Sequence, residues 1–398
     1  MKPQKGLGQF SRPALSARLR QPLWRRLHRW LGLSVGTLLM LSALSGLALL
    51  IGRPLEPVLD PQLFTVPAVR SAAVEQPLQA VLTTLQSRYG VNANFTLRLP
   101  QQPGETLRVF VRPAAHTAAV ASAGATAANA WKGTAFFDPT SAQFLGQRGE
   151  TEGVLPWLYE LHHELLAGDT GKAVLALAGG GFLLLSAAGL LMWWPRRGRP
   201  WRHWTDLHHS AGAFTALLLA ALVLSGTWMA WRPIGGWVNA ALGEQAVVAP
   251  KLTVVRAGVG VSGGVNGADT SSPAPAPVSL DTLRARAEAA LPEGHTVYVG
   301  WRPREALRVR KRLPDDPHPN GLSSVWLDPA DGRVLKLVRW HALDSAGRWT
   351  AWIYPFHSGQ LWGNAQRWVW GSLAAVMVLL WASGAWLWWQ RRLGRQRR

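Results

Sequence analysis

The chain has no cysteine. Disulfides, thiolate-bound zinc, iron–sulfur clusters and covalently attached c-type haem are therefore excluded, and any redox chemistry must run through histidine or methionine ligands or a bound organic cofactor. Acids are scarce as well: 22 Asp and Glu stand against 42 Lys and Arg, a formal net charge of +20. No acid precedes residue 30, where Lys2, Lys5, Arg12, Arg18, Arg20, Arg25, Arg26 and Arg29 cluster. The connector holding Arg196, Arg197, Arg199 and Arg202 and the tail "RRLGRQRR" carry most of the remaining excess.

What is abundant is apolar. Hydrophobic residues make up 48% of the chain, with 23 Trp, which points to a membrane protein with sizeable parts outside the bilayer. Four windows, 30–51, 172–194, 207–231 and 366–389, are long enough to cross a hydrocarbon core of about 30 Å as helices. The first could be a secretory signal, but its length and the lack of a small-x-small site in "LLIGRPLEP" favour a retained span. The positive-inside rule then puts the basic N-terminus (1–29), the connector (195–206) and the tail (390–398) in the cytoplasm, with loops 54–160 and 232–365 on the far side. The basicity reports topology, and no nucleic-acid partner is expected.

The chain is written twice. At an offset of 195, "WLYELHHELLAG" lies on "WIYPFHSGQLWG", pairing Trp157 with Trp352, His162 with His357 and Gly189 with Gly384, while His163 falls on Ser358. At an offset of 180, "WRRLHRWLGL" lies on "WTDLHHSAGA", pairing His28 with His208, Gly32 with Gly212 and Ser45-Gly46 with Ser225-Gly226, while His209 falls on Arg29. Each long loop offers an amphipathic helix, then alternating strands ending in an Asp-Pro turn at Asp138 or Asp328. Stretches 114–130 and 256–277 are low in complexity. The expected fold is a mainly α membrane protein, with four spans in a tandem two-fold repeat and two extracytoplasmic α+β domains.

Seven of eleven histidines crowd the span ends, whereas His116, His295, His318 and His341 lie in loops. A lone interfacial histidine is ordinarily a polar cap, yet the repeat makes matched pairs: His28 with His208 inside, His162 with His357 outside. Two neutral imidazoles from facing helices suit axial ligation of haem iron in a four-helix bundle, so two b-type haems are expected. Gly32 and Gly212, one turn beyond their histidines, offer either room for a flat macrocycle or close helix packing; Gly46, Gly226, Gly189 and Gly384 read first as packing glycines. His163 and His209 are secondary candidates, and Trp157 and Trp352 could line an outer pocket. A non-haem metal remains open, although no matched acid accompanies the histidines. A proton relay has little support from spans nearly free of mid-membrane charge.

Through "RRLHRWLGL", "ELHHELLAGDTG", "GLLMWWPRR" and "DLHHSAG" the chain resembles the PepSY-associated transmembrane family, and its loops look like PepSY-type domains. Similar members include ferric-siderophore reductases of the bacterial inner membrane. The resemblance implies haem iron held by His28, His208, His162 and His357, an electron donor on the cytoplasmic or membrane side and a ferric siderophore in the periplasm. The insert at 114–130 and "FHSG" in place of "LHHE" depart from that pattern. Other expectations from the same sequence are a conduit to another periplasmic acceptor, a siderophore permease and a PepSY-type regulatory binding module.

Overall fold

A computed structural model describes residues 15–67, 77–113, 131–194, 203–252 and 278–396. Both low-complexity stretches, the connector arginines and the first fourteen residues lie outside the described residues. Helices in chain order are α1 (Leu15–Leu33), α2 (Val35–Gly52), α3 (Leu78–Tyr89), α4 (Val154–Glu164), α5 (Gly168–Trp193), α6 (Trp204–Ala230), α7 (Pro233–Ala241), α8 (Leu280–Ala290), α9 (Ser345–His357) and α10 (Gly363–Gln396). Strands are β1 (Asn94–Arg98), β2 (Leu107–Arg112), β3 (Gly133–Phe137), β4 (Phe144–Gly149), β5 (His295–Trp301), β6 (Leu307–Arg312), β7 (Ser323–Leu327) and β8 (Val334–Val338).

The chain divides into a helical unit, Met1–Ala48, Leu161–Trp231 and Ala365–Arg398, and a sheet unit, Leu49–Glu160 and Arg232–Asn364. Four helices are long and apolar enough to cross a membrane, over Val35–Leu59, Gly168–Trp193, Trp204–Ala230 and Gly363–Gly394. The first begins later than the sequence window because the basic segment forms its own helix, α1, which breaks at Ser34. The other three begin three or four residues early, since polar first turns extend a helix without adding hydropathy.

Small residues let the helices of this unit approach closely. A Cβ at Gly179 of α5 would stand 2.1 Å from the Thr227 hydroxyl of α6, so only glycine fits that crossing. Trp381 of α10 donates its indole N–H to Thr37 Oγ1 of α2 at 3.0 Å, tying the first and last spans together.

In the sheet unit the sequence suggests two α+β domains, and the structure joins the strands of both in one sheet. All eight strands form one antiparallel sheet in the order β4-β3-β2-β1-β5-β6-β7-β8. The seam is β1 against β5, with Phe95 opposite Trp301 and Leu97 opposite Val299. Either half alone would leave its first strand as an open edge with unpaired N–H and C=O groups; pairing them removes both edges. The Asp-Pro turns have the same bonds in each half: Asp138 Oδ1 accepts from Thr140 N at 2.8 Å, and Asp328 Oδ1 from Ala330 N at 2.9 Å.

Alternation fills one face of the sheet with Phe95, Leu97, Val109, Phe137, Val299, Val309, Val325 and Leu327. Against it lie Leu78, Val81, Leu82 and Leu85 of α3 and Leu280, Leu283 and Ala287 of α8. Lys311 breaks the apolar row, but its buried ammonium donates to Leu291 O just past the end of α8. The two helices cap each other across some 200 residues of sequence: Asp281 accepts from Leu78 N at 2.8 Å and Gln79 N at 3.1 Å, while Gln79 Oε1 accepts from Leu280 N at 2.8 Å. Asp281→Ala should therefore destabilise α3, which belongs to the other half of the chain, by about 1–2 kcal/mol. Hydrogen exchange on the intact protein should show faster exchange at residues 78–82, with Asp281→Asn recovering part of the protection.

Candidate functional site

The helical unit brings His28 of α1 and His208 of α6 together, their ring centres 6.2 Å apart and planes at 87°. An edge-to-face contact falls in this range. So does a shared metal, since two metal–nitrogen bonds of about 2.0 Å plus about 1.1 Å from each nitrogen to its ring centre give about 6.2 Å.

Hydrogen bonding selects the tautomer. His28 Nδ1 lies 3.0 Å from Leu185 O, a group that only accepts, so Nδ1 carries the proton and the lone pair resides on Nε2. His162 is fixed in the same way, with Nδ1 2.8 Å from Ser42 O. His208 Nδ1 meets Ser383 Oγ at 2.8 Å, and that hydroxyl already donates to Leu380 O at 3.1 Å, so it accepts from the imidazole. All three rings thus hold Nδ1–H against an acceptor on a neighbouring helix and present Nε2 as the basic nitrogen. This tautomer leaves Nε2 free to ligate a metal, and the outer bond sets ring orientation and raises ligand basicity.

A glycine receives the edge of each ring. A Cβ at Gly46 would lie 2.8 Å from His162 Cε1, at Gly189 3.2 Å from His28 Cε1, and at Gly384 3.3 Å from His208 Cε1. These glycines, read from sequence as packing positions, admit the imidazoles between helices. The visible trace is the dipeptide Ser-Gly at 45–46 and 383–384, where one residue anchors or neighbours Nδ1 and the next makes room. Gly32 and Gly212 behave differently: a Cβ there would meet only Leu185 Cδ1 at 3.8 Å or Leu380 Cδ2 at 3.7 Å, ordinary contacts that leave space on the histidine face.

His162 closes α4, and Leu165, Leu166 and Gly168 follow with φ of 53°, 59° and 57°. His357 closes α9 in the sheet unit, followed by Gly359 and Gly363 in left-handed conformation. Left-handed leucines are rarely tolerated, so the turn after His162 is strained backbone at a candidate ligand. His163 Nδ1 lies 3.5 Å from Glu164, which Lys172 also approaches at 3.1 Å. His209 packs edge-on to His208 at 5.9 Å. Trp157 and Trp352 are exposed on α4 and α9.

The residues present fit a haem at His28 and His208 by donor chemistry and ring separation, and His162 shares the donor chemistry. Gly46→Ala should push the anchored His162 ring and lower thermal stability in detergent by about 1–3 kcal/mol, although alanine is the better helix former. Gly212→Ala should leave stability unchanged or slightly raised in the same assay.

The sequence profile of the PepSY-associated TM region matches residues 25–391. No curated protein matches the chain.

Proposed function

The chain belongs to the PepSY-associated TM family, and from that premise we propose that it is a dihaem electron-transfer protein of the bacterial inner membrane, a ferric-siderophore reductase. In this reading both termini are cytoplasmic and the two PepSY-like halves of the sheet unit are periplasmic. Electrons enter from a cytoplasmic-side or membrane donor and leave to a ferric siderophore. His28 and His208 would hold the inner b-type haem, and His162 and His357 the outer one.

The observation that carries the reading is the set of anchored Nδ1–H tautomers, above all on two imidazoles with ring centres 6.2 Å apart. A bound haem would supply the one-electron chemistry. The protein's part is to hold each Nε2 lone pair in place through Leu185 O, Ser383 Oγ and Ser42 O, so that no ligand has to reorient when charge changes at the iron. His28 on α1 and the Ser42–Gly46 stretch of α2 that receives His162 are 14 to 18 residues apart in sequence, roughly 24 Å at a helical 1.5 Å per residue. Two stations over that length divide the membrane crossing. Oxygen-rich chelators hold Fe(III) far better than Fe(II), so one delivered electron loosens the complex.

A pyridine haemochrome measurement on purified protein should give two b-type haems per chain, and a count near zero defeats the proposal. His28→Ala or His208→Ala should remove one spectral component, and His162→Ala or His357→Ala the other. Reoxidation of the reduced protein by a ferric siderophore tests the acceptor.

A further inference from the structure

The sheet face turned away from α3 and α8 carries a cluster that moving electrons does not require. Leu97, Val109, Val299 and Val309 point into the core, so alternation puts Thr96, Arg98, Arg108, Phe110, Tyr298, Gly300, Arg308 and Arg310 on the other face. Across the sheet Arg98 stands directly opposite Arg108 on one side and Tyr298 on the other, and Tyr298 stands opposite Arg310. In the adjacent row Thr96 faces Phe110 and Gly300, and Gly300 faces Arg308. A Cβ at Gly300 would meet nothing nearer than Arg308 O at 3.6 Å, so the floor at the β1–β5 seam is low and its rim is arginine and aromatic.

Like charges placed opposite each other destabilise a sheet unless something lies between them. The acids nearby do little to neutralise them. Glu105 comes only within 3.9 Å of Arg98. Glu56 is paired with Arg148 at 2.6 Å. Asp316, in electrostatic reach of Arg310, already accepts from His318 N and Leu322 N. Arg108 Nε is buried with no hydrogen-bond partner. Arg310 lies over the Tyr298 ring at 5.4 Å and donates to Gly321 O through Nε and Nη2, Arg308 lies over Trp326 at 5.2 Å with Nε donating to Ser324 Oγ at 3.1 Å, and Arg108 lies over Phe64 at 4.9 Å. Packing on that side, with Arg310 and Arg302 nearby, lowers the exposed Arg308 guanidinium to about 10, so it is still charged at neutral pH. Tyr354, three residues before His357, is within electrostatic reach of both Tyr298 and Arg310.

We propose that this arginine face seats an oxygen-rich, multiply anionic metal chelate, with a planar ring of a tris-catecholate stacking on the exposed Phe110 and its oxygens received by Arg98, Arg108 and Arg308, while Arg310, held by Gly321 O over the Tyr298 ring, adds positive charge beneath them. This rests on the ferric-siderophore reading and narrows its substrate class. Neutral tris-hydroxamate chelates present neither the charge nor the aromatic rings.

Gallium(III) replaces iron in the test because it cannot be reduced, so binding is read apart from electron transfer. Titration of the full-length protein in uncharged detergent with a gallium tris-catecholate should give saturable, salt-sensitive binding, at least about tenfold tighter than a neutral gallium tris-hydroxamate. Arg98→Gln and Arg308→Gln should each weaken it about tenfold. Arg108→Gln should also weaken it while the melting temperature holds or rises, because one of two opposed like charges is removed; a merely structural arginine would lower the melting temperature and leave affinity intact. Equal affinity for both chelates, or full affinity in the Arg98→Gln/Arg308→Gln double variant, overturns the proposal. So does a face that takes up phosphatidylglycerol from mixed micelles but not the chelate, which would assign it to lipid phosphate. Gallium binding by a protein without haem leaves the seat standing and removes the reductase reading; two haems without gallium binding do the reverse.

Discussion

The β1–β5 seam is the constraint on which the sheet unit depends. It joins two four-stranded halves, separated by nearly 200 residues of sequence, into one sheet with one continuous core. It also sets Arg98 opposite Tyr298, so the positive face exists only because the halves are paired in this register. A slip of one residue would turn Leu97 and Val299 out of the core and the arginines into it, which burial forbids.

Much of the fold was legible because its signals are local or repeated. Apolar windows marked the four long helices, and the Asp-Pro pairs marked turns whose bonds recur in both halves. The seam was not legible, since an edge strand and a central strand share the same alternation until their partner is known. The short helices α4 and α9 were hidden for a related reason: they run into a span, and left-handed residues at Leu165, Leu166 and Gly168 and at Gly359 and Gly363 separate them from it. Leucine carries no sequence signal for that conformation.

At the candidate site, the sequence could match histidines and could not see what holds them. Main-chain acceptors such as Leu185 O and Ser42 O leave no mark on residue identity. Where Ser383 relays the His208 bond to Leu380 O, the first half has Ala188, and His28 reaches Leu185 O directly. Two different residues reach the same protonation pattern, so the repeat preserves the tautomer rather than the side chain.

The reciprocal caps of α3 and α8 impose an order on synthesis. The first turn of α3 emerges with its amides unanswered, because their acceptor, Asp281, is made about 200 residues later. At 5–20 residues per second that interval is roughly 10 to 40 s, during which β1 also stands as an open edge. The first half therefore has to survive as an incomplete sheet until its partner arrives, and a cell making this protein must shield that edge for as long as translation takes.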